Sequence, residues 1–349
     1  MAAESATRSA FTTSAPGFSP AELEALLSER YGLAGRVTML TSERDLTARV
    51  NAETGERFVL KLANAAEDPA VGEFQNRALQ HVARTAPDVP ASRLVPTLDG
   101  AAEFFAERDG ERHFTRLLTY LPGRPLFGAP PTPERMRAIG TALGRLARGL
   151  ADFRHPASEH EIVWDLRHSP KLAAFTPHIE DAVLRGRVEA IFERFRETIA
   201  PLQDGFRRQV VHNDFNPFNL LIDSEDGASI TGILDFGDMV ETPTVYDLAV
   251  AAAYQVAEDG PPLRFVRDLV AAYHAVAPIE PEEADRLLDL IATRHAMTIT
   301  IAEWRAARYP ENAAYIRRNQ ARAKLAVERF AALDREAARA ELREACGFA

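Results

Sequence analysis

Apolar and polar positions follow two different rhythms along this chain. Arg36–Leu40, Thr47–Val50 and Arg57–Leu62 are short and strand-like, with a turn at Glu53-Thr54-Gly55-Glu56. Ahead of them, Ser19-Pro20-Ala21-Glu22 carries a capping serine, a proline at the first helical position and a glutamate at the third. That pattern starts a helix running to about Tyr31, where Gly32 stops it. Ala70–Arg84 repeats with helical spacing, and Glu103–Arg108 and His113–Tyr120 flank the hairpin turn Asp109-Gly110. Past the break Leu121-Pro122-Gly123 the chain turns to long helices: Pro133–Asp152, Thr176–Ala200, Thr244–Ala257, Pro262–Ala277, Pro281–Glu303 and Asn312 to about Leu342. The main strand signal left there is Leu220–Ile222 and Ile230–Leu234, joined by a turn cluster, Ser224–Ser229.

The pattern predicts an α+β fold. It has a flexible tail over residues 1–18, a strand-rich lobe over 19–120 and a helical lobe over 121–349, with a hinge at Thr119–Gly123. Composition narrows the classes. With 349 residues, 46% of them hydrophobic, the chain can bury a sizeable core. A net charge of −10 disfavours nucleic acid or an anionic membrane as partner. The one cysteine, Cys346, excludes an internal disulfide and argues against a thiolate metal site. No apolar run approaches membrane-spanning length, the first residues lack a signal-peptide core, and the cytoplasm is the expected location.

The densest chemistry lies in HNDFNPFNLLID, residues 212–223, followed by GILDFG, 232–237. The hairpin between the two strings brings Asp214 and Asn219 beside Asp235. Two carboxylates and an amide oxygen suit Mg²⁺ and a phosphoryl acceptor. Asp214 is expected to orient an attacking hydroxyl and accept its proton, and Asn219 and Asp235 to hold Mg²⁺ on nucleotide phosphates. His212 is expected to brace the loop rather than titrate.

These strings resemble the aminoglycoside phosphotransferase and choline kinase superfamily, a branch of the bilobal protein-kinase-like fold, over roughly residues 20–330. EFQNRALQHV (73–82), LLTYLPGRPL (117–126), WDLRHSPKL (164–172) and GILDFGDMVETPTVYDLAVAAAY (232–254) resemble, within it, the hydroxylysine kinase subfamily. The resemblance implies a small antiparallel-sheet N-lobe, a larger helical C-lobe, and a nucleoside triphosphate, ATP or GTP, bound between them. It makes Lys61 the lysine on the α- and β-phosphates, with Glu73 as its acidic partner and Glu67 or Gln75 as alternatives. Ser42, in a glycine-free loop at Thr41–Thr47, would cap phosphate oxygens. The backbone of Thr119, Tyr120 and Leu121 would bind the purine. Asp247 would support the catalytic loop. For a small cationic or amino-acid acceptor, Asp238, Glu241, Trp164, Asp165, Arg294 and Glu303 offer acids, aromatics and a carboxylate-binding guanidinium. Hydroxylysine leads as acceptor, with homoserine, choline or ethanolamine, an aminoglycoside or another amino alcohol as alternatives, and the sequence carries no sign of oligomeric state.

Overall fold

The structure, a computed structural model, describes residues 15–40, 45–318 and 320–348. The expected tail lies almost wholly outside the described residues, and Ser42 lies outside them as well. The chain divides into two compact units. One comprises Met1–Gly123, His155–His160 and Thr231–Leu234, and the other Arg124–Arg154, Glu161–Ile230 and Asp235–Ala349.

Among its described residues the first unit is an antiparallel sheet with two α-helices. Helix α1, Pro20–Tyr31, begins with the expected capping box between Ser19 and Glu22 and ends at Gly32, whose φ of 64° is open to glycine at little cost. Strands β1 (Gly35–Leu40), β2 (Leu46–Ala52), β3 (Arg57–Leu62), β4 (Leu94–Val95), β5 (Phe104–Arg108) and β6 (Glu111–Thr119) pair in the order β1-β2-β3-β6-β4, with β5 also on β6. Asp109 and Gly110, both at positive φ, turn the β5–β6 hairpin. Leu23 and Leu27 of α1 pack on Leu46, Val50 and Leu60 to form the core of this unit. The register sets Lys61 of β3 between Thr47 of β2 and Arg116 of β6. Helix α2, Pro69–Thr85, buries Phe74, Gln75, Asn76 and Leu79.

The second unit is helical, with two short strand pairs that position its loops. Strand β7, Arg124–Pro125, lies along β9, Leu220–Ile222. Helix α3, Pro133–Leu150, packs closely on a later helix, Arg264–Val276, because Gly140 leaves no side chain between them. A Cβ there would stand 2.2 Å from the Leu269 carbonyl. Strand β8, Arg208–Val211, pairs antiparallel with Val240–Pro243, so that Val211 faces Val240. This pair was not anticipated; each member is four residues long and half polar, below the threshold at which alternation is readable. The Asp223 amide donates to the Ser229 carbonyl at 2.9 Å and closes the expected turn before the strand Ile230–Ile233.

Two helix expectations are corrected. Thr176–Ala200 is helical only from Ala182 to Thr198: Leu166–His178 forms 3₁₀ turns broken by Pro170 and Pro177, and Asp181 caps the helix by accepting from the amides of Val183 and Leu184. The stretch from Asn312 to Leu342 is not continuous either. Gln320–Ala331 ends, and Asp334 caps a separate helix, Arg335–Ala345. The longest helix, Pro281–Arg308, runs through the unit with most of its side chains buried. Among the described residues no helix is long and apolar enough to cross a membrane.

Candidate active site

Strand β8 delivers the chain into His212, and the loop that follows is held from beneath. Asp247, in the first turn of the helix Thr244–Ala253, is buried and accepts the His212 amide at 3.2 Å and the Asn213 amide at 2.8 Å. Asn213 adopts the left-handed conformation, φ 63°, which asparagine tolerates better than most residues. The His212 ring is buried between Phe215 and Phe236, and its Nδ1 accepts the Asp214 amide at 3.2 Å. An imidazole nitrogen that accepts carries no proton there, so this bond ties His212 to the turn that carries Asp214.

Asp214 is thereby held at the end of a rigid turn. Its Oδ2 accepts from Asn219 Nδ2 at 2.7 Å, and the same nitrogen reaches the Asp214 carbonyl at 3.0 Å. Its Oδ1 faces Arg294 Nη2 at 3.4 Å. Burial pushes the Asp214 carboxyl up to about 6 and the nearby Asp235 carboxylate adds to that, against the pull of Arg294, Asn216 and Asn219 in the opposite direction. Asn216, which the sequence reading left without a role, accepts the Phe218 amide at 2.8 Å and shapes the turn between Asp214 and Asn219. Its position directly before Pro217 was the available signal.

Asn219 spends its amide nitrogen on Asp214, which leaves its carbonyl oxygen as an acceptor. Asp235 is exposed, at φ 53°, and its Oδ1 accepts from the Gly237 amide at 3.3 Å. Among the described residues no three His, Cys, Asp or Glu side chains converge on a metal-sized point. The amide oxygen of Asn219 is an oxygen donor outside those four residue types. An all-oxygen set of this kind fits a hard divalent cation that keeps several waters.

The expected acceptor residues fare differently. Trp164 and Arg294 are brought to Asp214: Arg294 Nη1 donates to the Trp164 carbonyl at 3.1 Å, and its guanidinium lies 4.7 Å from the Trp164 ring centre. Asp165 is wholly buried, and its carboxylate is occupied by Arg167 at 2.7 Å and by the Thr242 hydroxyl at 2.9 Å. It caps the 3₁₀ turns and is closed to an acceptor. Glu303 is likewise taken, by Arg317 at 2.7 Å, Gln320 at 2.7 Å and Lys324 at 3.1 Å. Both were expected to bind substrate because the residue type fitted; burial and partner count assign them to holding the fold. Glu241 lies on the strand paired with β8, opposite Val210. Asp238 lies half-buried near Asp235 in the chain.

In the first unit, Lys61 occupies the expected position on β3. Glu73 does not face it: Glu73 is half exposed and pairs with Arg77 at 3.4 Å along the surface of α2. The buried face of that helix carries Gln75 and Asn76, which bind Arg116, the cross-strand neighbour of Lys61, with Asn76 Oδ1 at 2.8 Å. Helical phase separates Glu73 from Gln75, which lies about 200° further round α2 and is buried while Glu73 stays half exposed. At the strand end, the Thr119 amide binds the Arg93 carbonyl at 2.9 Å and the Tyr120 amide the Arg57 carbonyl at 3.2 Å. Of the three expected purine contacts, Leu121 alone has an amide outside these bonds.

Comparison with known proteins agrees with this geometry. The model of the phosphotransferase enzyme family, APH, matches residues 40–287. Hydroxylysine kinase of Mus musculus is 27% identical over 324 residues, covering 86% of each chain, and that of Danio rerio is 29% identical over 317 residues, covering 87% of this chain and 88% of the relative. Among solved structures, the amicoumacin kinase hAmiN in complex with AMP-PNP, Ca²⁺ and Ami has a TM-score of 0.68 at 13% identity, covering 92% of this chain and 97% of that one. The fold is therefore the kinase-like α+β fold that the sequence predicts, and the chain belongs to the phosphotransferase enzyme family, APH.

Proposed function

We propose that the protein is a small-molecule kinase that transfers the γ-phosphoryl group of a nucleoside triphosphate to the hydroxyl of 5-hydroxylysine. The observation that carries the reaction class is the Asp214 carboxylate, bonded by Asn219 on one oxygen and facing Arg294 on the other, beside Asp235. The hydroxylysine kinases, similar over most of both chains, support the acceptor.

Asp214 receives the acceptor hydroxyl and takes its proton as the oxygen bonds to the γ-phosphorus, while the bond from that phosphorus to the bridging oxygen breaks. A carboxylate raised toward neutrality is a better proton acceptor than an ordinary aspartate. Asn219 and Asp235 would hold Mg²⁺, which when bound neutralises charge on the donor phosphates. The amide bonds from His212 and Asn213 to Asp247 keep the loop from yielding during transfer, so the site works chiefly by positioning. Lys61 is proposed to contact the donor phosphates, and the Leu121 amide the purine.

The test is nucleoside-diphosphate release with ATP and with GTP, over 5-hydroxylysine, homoserine, choline, ethanolamine and an aminoglycoside. Turnover selective for hydroxylysine, abolished by chelation and by Asp214→Asn, is expected. Selective turnover of a different acceptor would keep the mechanism and overturn the substrate. Nucleotide binding with no turnover of any acceptor would overturn the proposal as a whole.

A further inference from the structure

Arg294 is unusual for a buried cation. Its side chain is 3% exposed, yet among the described residues its one ion pair is with Asp214 at 3.4 Å, beyond a strong charge-assisted hydrogen bond, and the buried Asp247 carboxyl acts on it from farther off. Nη1 is satisfied by the Trp164 carbonyl, the Tyr254 hydroxyl interacts with the same guanidinium, and Nε is buried with no partner. A guanidinium desolvated to this degree is costly unless a second anion completes its fork.

The surroundings say where that anion would come from. Arg294 lines a cavity whose walls include Phe127, Phe218, Tyr254 and the neighbouring His295. His295 is also buried, and its Nε2 likewise has no partner. Burial, with Arg294 beside it, pushes its pKa down to about 3, so it meets a ligand as a neutral imidazole. Phe127, 54% exposed, stacks on Phe218 with ring centres 4.1 Å apart and gives the cavity an apolar wall. Two buried, unpaired polar atoms on residues that line a cavity with an apolar wall describe a site for a chain with a charged head. The donor phosphates are the less suitable anion. Asp214 turns the oxygen bonded by Asn219 toward the proposed cation ligands, and its other oxygen toward Arg294.

Resting on the proposed kinase reading, we infer that Arg294 is the specificity determinant for an acceptor carboxylate: its free Nε, with His295, takes the carboxylate of a hydroxy amino acid while Nη2 stays on Asp214. One planar group then spans the acceptor's head and the carboxylate that receives its proton. In 5-hydroxylysine, four carbon–carbon bonds separate the carbon bearing the hydroxyl from the carboxylate carbon, and this methylene stretch would lie along the apolar wall. An acceptor without a carboxylate leaves the buried guanidinium incomplete and is selected against.

The experiment compares matched acceptors that differ only in the carboxylate: 5-hydroxylysine against 1,5-diaminopentan-2-ol, and homoserine against 3-aminopropan-1-ol. In the wild type, kcat/KM should favour the carboxylate-bearing member of the productive pair by ~100-fold or more. Arg294→Gln should collapse that ratio to within about 3-fold, and Arg294→Lys, a point charge without the fork, should fall between. Nucleotide-induced thermal stabilisation checks that the variants are folded. A variant-free arm uses lysine and cadaverine, which lack the hydroxyl, as competitive inhibitors of the wild type. Lysine should compete at least ~100-fold better.

A ratio that survives Arg294→Gln, an equal loss on both members of a pair, or equal inhibition by lysine and cadaverine would each overturn the inference while leaving the kinase reading intact. Turnover of neither pair would overturn the hydroxy amino acid reading and this inference with it.

Discussion

The loop from His212 to Asn219 and the group around Arg294 meet at one carboxylate, but they are built in opposite ways. The loop is local. Eight consecutive residues supply Asp214, the asparagines that bond and shape it, and the histidine that bonds its amide, with Asp247, the Phe127 amide and the Phe236 ring as anchors from outside. The Arg294 group is assembled from afar: Trp164, Tyr254 and Arg294 come from three segments separated by tens of residues. The lesson is that phosphoryl-transfer chemistry can be carried on one turn, because it needs a few oxygens at short range, whereas acceptor recognition needs walls on several sides.

If that division holds, variants in the loop should act on turnover and those in the distant group on acceptor choice. The largest effect is expected from Asp214→Asn: kcat lower by ~10²–10⁴-fold with nucleotide affinity retained, read by steady-state kinetics and nucleotide titration. Near-normal turnover in that variant would break the comparison at its centre. Asp247→Ala removes the acceptor of two buried amides. It should cost about 2–5 kcal/mol of stability in denaturant titration and lower kcat on every acceptor alike, because it disturbs the loop rather than the cavity. Glu303→Gln sharpens the other side. Its partners Arg317 and Lys324 lose a carboxylate, so stability should fall by about 1–3 kcal/mol while acceptor KM stays within about 2-fold; a large KM change would return Glu303 to the acceptor site. The smallest effect is expected from Phe127→Ala, which removes one face of an exposed stack and should raise acceptor KM by about 3–10-fold with kcat unchanged.

Which parts could be read in advance follows the same line. Helix α1 was legible to the residue because its capping box and Gly32 are local signals. The pairing of Arg208–Val211 with Val240–Pro243 was not, although it aims the catalytic loop, because its strands are short and 28 residues separate Val211 from Val240. Asp165 and Glu303 looked available because acidic residues usually face water; only their partners in space, Thr242 and Arg167 in one case and Arg317, Gln320 and Lys324 in the other, reveal that both are consumed. Glu73 against Gln75 turned on the phase of one helix, which sequence spacing leaves undecided by about half a turn.

The sequence by itself determined the family, and the proposed reaction chemistry with it, since Asp214, Asn219 and Asp235 sit within one loop and one hairpin. Tertiary structure decided which of the remaining charged residues are already held by partners and which have a donor to spare. A side chain's availability depends on what is packed against it, and for Asp165, Glu303 and Arg294 those neighbours come from distant parts of the chain.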